Sequence, residues 1–188
     1  MSRKGPRSVL IIEARFYEDI ADELARGAVE ELEAHQMAYE RLAVPGSLEI
    51  ALALSLALAN GFVGRAGRHR GCVALGCVIR GETTHYDIVA RESAAGLHQL
   101  AVQHAVPIGF GILTCESREQ AWERASVEGR NKGGDAARAC LTLMQLEQHF
   151  SSASRRYLPW LGEARPPTAQ DPEVRPGLPP CKLSIRWT

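Results

Sequence analysis

Residues 78–87 read Val-Ile-Arg-Gly-Glu-Thr-Thr-His-Tyr-Asp, and they group side chains that can bind an anion and move a proton. Gly81 lets the backbone approach a ligand closely. Thr83 and Thr84 offer hydroxyls and amide N–H groups at what reads as a helix start. Free N–H groups and the positive end of the helix dipole make such a start a phosphate site. His85 falls in the same first turn. There the dipole favours a neutral imidazole, which can accept a proton near neutrality. The same residues also fit a plain Arg-Gly turn with a threonine cap and a surface histidine.

Three further places hold residues suited to a polar or flat ligand. Phe16 and Tyr17 follow the first apolar run, where an aromatic ring can stack on a heterocycle or pack into a core. Pro45-Gly46 sets a tight turn before a helix whose first N–H groups are free to meet a polar substrate edge. Ser47 is the expected cap of that helix, and Glu49 in its first turn also suits the dipole alone. Phe110 sits between Gly109 and Gly111, which signals close backbone approach or ring stacking. Arg124 falls near a helix end, where a cation is ordinary. Lys132 falls at a helix start, against the dipole, and an anionic substrate would explain it.

The elements that position these residues alternate. Strands are expected at Ser8 to Ala14, Ala38 to Val44, Cys72 to Ile79 and Pro107 to Leu113. Helices are expected near Tyr17 to His35, Leu48 to Asn60, Thr84 to His104, Ser117 to Ala125 and Asn131 to Phe150. In the first helix Ile20, Leu24, Ala28 and Leu32 recur every four residues and form one apolar face. The third strand is nearly all apolar, as in a sheet buried on both faces. Alternation of this kind means β-α-β crossovers and a parallel sheet between helical layers. Ligands then bind beyond the carboxyl ends of the strands, where the four groups above lie.

Bulk composition narrows the partners. The 188 residues hold 22 Lys+Arg and 22 Asp+Glu, so the formal net charge is zero. That balance speaks against nucleic acid as a partner. No apolar run approaches the ~18 residues of a membrane span, and Val9 to Ile12 is too short for a signal-peptide core, so a cytoplasmic protein is expected. The five cysteines include no C-x-x-C pair and read as structural thiols, with no metal site. Cys72 and Cys77 should face opposite sides of one strand. After Ser151 the texture turns proline-rich and aperiodic. Residues 1–150 are therefore expected to form the folded domain and 151–188 a partly disordered extension.

In these blocks the sequence resembles the lumazine synthase family, in its alphaproteobacterial form. The resemblance covers about Ser8 to Phe150 in order: Ala14-Arg15-Phe16, Val44-Pro45-Gly46, Gly76 to Asp87, Gly109 to Thr114, Glu119-Gln120-Ala121 and Asn131-Lys132-Gly133. It implies a three-layer α/β/α sandwich with a four-stranded parallel sheet in flavodoxin-like order. It implies condensation of 5-amino-6-(D-ribitylamino)uracil with 3,4-dihydroxy-2-butanone 4-phosphate to 6,7-dimethyl-8-ribityllumazine and phosphate, without cofactor or metal. By resemblance Phe16 stacks on the pyrimidine, and Ser47, Leu48 and Glu49 hold the ribityl chain. Val78 and Ile79 line the ring pocket, Glu82 and Thr83 hold phosphate, and His85 moves protons. Phe110 and Arg124 come from a neighbouring subunit, with Lys132 close by, in a homopentamer or a multiple of it. Tyr17 and Leu48 depart from the common Asn and Phe of the family.

A second reading keeps the fold and the pocket but not the turnover: a low-activity paralogue that binds flavin or lumazine, or a shell scaffold. His85, Arg124 and Lys132 occurring together favour the enzyme. A flavodoxin-like electron carrier would want a Ser/Thr/Gly-rich loop after the first strand, where Arg15-Phe16-Tyr17 stand.

Overall fold

A computed structural model describes residues 8–157. Their order is β1 (Ser8–Ala14), α1 (Glu18–Ala34), β2 (Ala38–Val44), α2 (Ser47–Ala59), β3 (Gly71–Ile79), α3 (His85–His104), β4 (Ile108–Cys115), α4 (Arg118–Ala125) and α5 (Lys132–Tyr157). All strands pair in parallel, in the order β2-β1-β3-β4. The expected α/β/α sandwich with its flavodoxin-like strand order is the observed fold.

Strand position explains strand composition. The central β1 and β3 are buried on both faces and are almost wholly apolar. Edge strand β2 carries Tyr39, Glu40 and Arg41 and is half exposed. Alternate residues feed two cores. On one face Val9, Ile11, Val73 and Leu75 meet Leu24, Ala28 and Leu32 of α1, Ala121 of α4, and Ala137 and Met144 of α5. On the other Leu10, Ile12, Cys72 and Ala74 meet Ile50 and Leu54 of α2 and Leu97 of α3. Cys72 and Cys77 fall in different cores, as their parity requires.

Helix α5 lies close on the sheet because β4 is small beneath it. A Cβ on Gly109 would collide with the Ala136 carbonyl oxygen, and one on Gly111 would come within 2.9 Å of the Ala136 Cβ. Asn131, at φ 42°, starts α5 by accepting from the Gly134 amide at 3.0 Å. The helix runs to Tyr157, past the expected end at Phe150, and Arg70 clamps its far end by donating to both Glu147 oxygens at 2.9 and 3.0 Å. The compact unit reaches Ser152. The proline-rich stretch, with Trp160, Cys181 and Trp187, lies outside the described residues. Among the described residues no helix is long and apolar enough to cross a membrane.

Candidate active site at the carboxyl edge of the sheet

Three of the four predicted groups share one rim. Ala14 pairs with Val44 at the carboxyl ends of β1 and β2, and β3 runs on from there to Ile79. Phe16 stands just beyond β1, 72% exposed, with the Tyr17 ring edge-on at 4.9 Å. Arg15 beside it is fixed by Asp22 at 2.9 Å and reaches Glu13 at 3.6 Å. Glu13 itself is buried and receives both prongs of Arg41 from β2, at 3.1 and 2.8 Å. A buried carboxylate thus ties the ends of β1 and β2 together behind Phe16.

The first turn of α2 closes over this end. The helix is capped by Gly46 in extended conformation, not by the Ser47 side chain as expected. Ser47 is the first helical residue and is buried, because its hydroxyl is pressed against Gly76 of β3. The Glu49 carboxylate folds back to within 2.9 Å of where Gly46 would carry a Cβ. Leu48 points outward, 38% exposed.

Val78 is buried and Ile79 half-buried at the end of β3, and the turn after them is open to solvent. Gly81, Glu82, Thr83, Thr84 and His85 are all exposed, and no atom lies within 4 Å of where Gly81 would carry a Cβ. The His85 amide donates to the Thr83 hydroxyl at 3.4 Å as α3 begins. Arg80, which sequence reasoning assigned no role, is the most connected side chain here. It donates to Glu116 at 2.8 Å and to Asp87 at 3.3 Å and lies 4.0 Å over the Tyr86 ring. The bonds to Glu116 and Asp87 raise its pKa further above the ordinary guanidinium value.

The fourth group lies elsewhere. Phe110 pairs with Ala74 in the first half of edge strand β4, five residues before the strand's end at Cys115, and is 47% exposed. Arg124 is in the last turn of α4 and donates to the Gln120 carbonyl at 3.1 Å. Its charge opposes the burial that pushes the Cys115 thiol up, which sets it beside the end of β4. Lys132 opens α5 and pairs with Asp135 at 2.7 Å. That partner, three residues on, gives Lys132 a local reason to sit at a helix start, so its place against the dipole does not call for a ligand. Among the described residues no cluster of three or more His, Cys, Asp or Glu could hold a metal.

Comparison with known proteins bears on the whole of this edge. A family model described as 6,7-dimethyl-8-ribityllumazine synthase matches residues 6–148. The chain belongs to that family. It is 50% identical over 144 residues to the synthase of Afipia carboxidovorans, covering 76% of this chain and 87% of that one. It is 51% identical over 146 residues to the synthase of Beijerinckia indica, covering 78% of each chain. It is 49% identical over 152 residues to synthase 1 of Rhizobium meliloti, covering 81% of this chain and 99% of that one. The family comprises transferases of riboflavin biosynthesis, and the matched span includes every candidate site residue named above.

Proposed function

We propose that the chain condenses 5-amino-6-(D-ribitylamino)uracil with 3,4-dihydroxy-2-butanone 4-phosphate in a site made by two copies of itself. One copy supplies Phe16 to stack on the pyrimidine, the first turn of α2 for the ribityl chain, and Val78 and Ile79 for the ring. It also supplies Glu82, Thr83 and His85. Its neighbour supplies Phe110 and Arg124, with Lys132 nearby. The amine forms an imine with the ketone and releases water, elimination of phosphate leaves an enol that becomes a new ketone at the neighbouring carbon, and the ribitylamino nitrogen closes the ring on that carbonyl with loss of a second water. His85 carries protons between these steps, and the N–H groups of the turn and the Arg124 guanidinium hold phosphate as it departs.

The observation that carries this reading is the separation of Phe110 from the rim. The Phe16, Ser47 and His85 groups share the rim beyond β1, β2 and β3, whereas Phe110 stands back in the first half of edge strand β4, paired with Ala74. A second copy at the rim would supply the aromatic ring that this copy holds away from it. The exposed face of α2 supports a homo-oligomer as well. The helix has one charged residue, and Leu48, Leu52 and Leu56 form an open stripe along it. A helix apolar on nearly all sides belongs in an interior. We take the assembly to be a pentamer or a multiple of it, working in the cytoplasm.

The test mixes two crippled variants. His85→Ala is expected to slow turnover by ~10–100-fold, since much of the rate comes from juxtaposing two reactive substrates. Arg124→Ala is expected to raise KM for the phosphate substrate. Unfolded together in equal amounts and refolded, the two should recover activity in roughly a quarter of the sites, those pairing an intact His85 with a neighbour's intact Arg124. Activity no higher than the average of the two separate variants rules out the shared site. Wild-type protein that releases no phosphate above the uncatalysed background rules out the reaction.

A further inference from the structure

The turn from Gly81 to Thr84 is tethered almost only at its ends. Among the described residues, the one hydrogen bond made by Gly81, Glu82 or Thr83 is that of the Thr83 hydroxyl with the His85 amide. The Thr84 carbonyl accepts from the Asp87 and Ile88 amides at 3.1 and 3.4 Å, which is simply the first turn of α3. Nothing packs above Gly81. A loop this open loses conformational entropy each time it must present several N–H groups to one anion.

Arg80 joins those two ends. Its backbone amide donates to the Cys115 carbonyl at 2.9 Å, continuing the β3–β4 ladder, so its base is rigid. Its guanidinium then crosses the turn. It lies over the Tyr86 ring, donates through Nη1 to Asp87 in the first turn of α3, and donates through Nε to Glu116 beyond β4. Ring stacking together with directed N–H donation is a guanidinium property that an ammonium does not reproduce. Two carboxylates already satisfy the charge of Arg80, so it is poorly placed to serve as a ligand for a third anion.

We propose that Arg80 is a positioning residue: a clasp from β3 to α3 and Glu116 that holds the Gly81–His85 turn in its anion-binding curvature. This rests on the reading of that turn as the phosphate side of the site. The clasp acts on the butanone phosphate and on His85, and it leaves the pyrimidine half of the site, on β1 and α2, alone.

The experiment compares Arg80→Ala, Arg80→Lys and the double variant Asp87→Asn/Glu116→Gln, all in the intact assembly. Arg80→Ala is expected to raise KM for the phosphate substrate by ~10-fold and lower kcat a few-fold, because small displacements of positioned groups are costly. KM for the ribitylaminouracil should not move. Arg80→Lys keeps the charge and should rescue little. The double variant frees the charge of Arg80 while removing its anchors. It should raise the same KM, whereas a direct phosphate ligand would bind more tightly once freed. Hydrogen exchange at the Asp87 and Ile88 amides should quicken in Arg80→Ala with the remaining amides unchanged. An unchanged phosphate KM in Arg80→Ala, full rescue by lysine, a lowered KM in the double variant, or unchanged exchange at residues 87 and 88 each overturns the clasp. Should wild-type protein prove inactive, the exchange comparison still decides it, because that readout needs no substrate.

Discussion

Gly76 of β3 and Ser47 of α2 meet so closely that a Cβ on residue 76 would lie 2.8 Å from the Ser47 hydroxyl. The same Cβ would come within 3.3 Å of the Ala14 Cβ and 3.4 Å of the Ile50 Cδ1. The absence of a side chain at one position of a buried strand therefore lets the first turn of α2 settle against the sheet. That turn is the part of the rim assigned to the ribityl chain.

Gly76→Ala is thus expected to push α2 outward. Overpacking of this kind costs about 1–3 kcal/mol, and the displaced turn should raise KM for ribitylaminouracil more than KM for the phosphate substrate. Adding Ser47→Gly to Gly76→Ala removes the hydroxyl that is struck and should restore part of both losses. Urea denaturation and separate KM measurements on the two substrates check this. Equal effects on both substrates would mean that the glycine serves stability alone.

Much of the architecture was legible because the period of the apolar residues and the strand lengths agree with each other. All four strands and five helices lie where the pattern put them, within two residues at their ends except that α5 runs on from the expected Phe150 to Tyr157. The differences have local causes. Strand β4 runs to Cys115 because β3 is long enough to pair with it, Ile79 against Cys115. Helix α5 passes through a serine-rich stretch that reads as a helix end, with Arg65 and Arg70 both on Glu147 near that stretch. Ser47 looks like a cap by residue type, but only the contact with Gly76 explains its burial. The residues of the rim were legible as types at strand ends. The partners of Arg80 were not, because Glu116 lies 36 residues away and no spacing rule links them. Asp135, by contrast, stands at the ordinary i,i+3 distance from Lys132 and could have been found.

Stability should depend on pH through His69. Its ring is 1% exposed, with Nδ1 at 2.9 Å from the Ser8 hydroxyl and Phe62 edge-on at 4.8 Å. Nε2 faces Glu40 at 3.4 Å without a hydrogen bond, and Arg68 stands on the same carboxylate at 3.1 Å. Burial lowers the His69 pKa below its ordinary 6.5; the Glu40 charge pulls it back up, and Arg68 lowers it further. The unfolded chain therefore binds the proton first as pH falls. The stability associated with neutral His69 is full above pH 6.5 and declines from there down to the folded-state value. Urea midpoints at several pH values below neutrality should show this decline in wild type and a shallower one in His69→Asn. A slope unaltered by the substitution would assign the dependence to other groups.

The described cysteines should be inert in the native state. Cys72, Cys77, Cys115 and Cys140 are all buried and unpaired. Burial pushes the thiols of Cys77 and Cys140 up to about 12 and raises those of Cys72 and Cys115 as well. Since the thiolate is the reactive form, a Cys181→Ser variant should give no fast reaction with a chromogenic disulfide reagent at pH 8. All four thiols should react once the protein is denatured. A rapid native phase would reveal an opening of the sheet near β3 or β4 that this structure does not contain.

The exposed stripe on α2 gives the most direct check on assembly. Leu52 is 62% exposed at its centre, between Leu48 and Leu56, on a helix whose opposite face already fills the core with Ile50, Leu54 and Ala57. If a second copy covers the stripe, a carboxylate at position 52 must be buried without a partner, which costs several kcal/mol at every interface of a ring. Because Leu52 packs against nothing essential within its own chain, Leu52→Glu should leave the fold intact. Light scattering should then report monomers, circular dichroism should report unchanged helix content, and phosphate release should fall to the background, since each site would lack Phe110 and Arg124 of the neighbour. Oligomers of wild-type mass carrying Leu52→Glu would show that copies meet through some other face, and the two-copy site would have to be rebuilt around it.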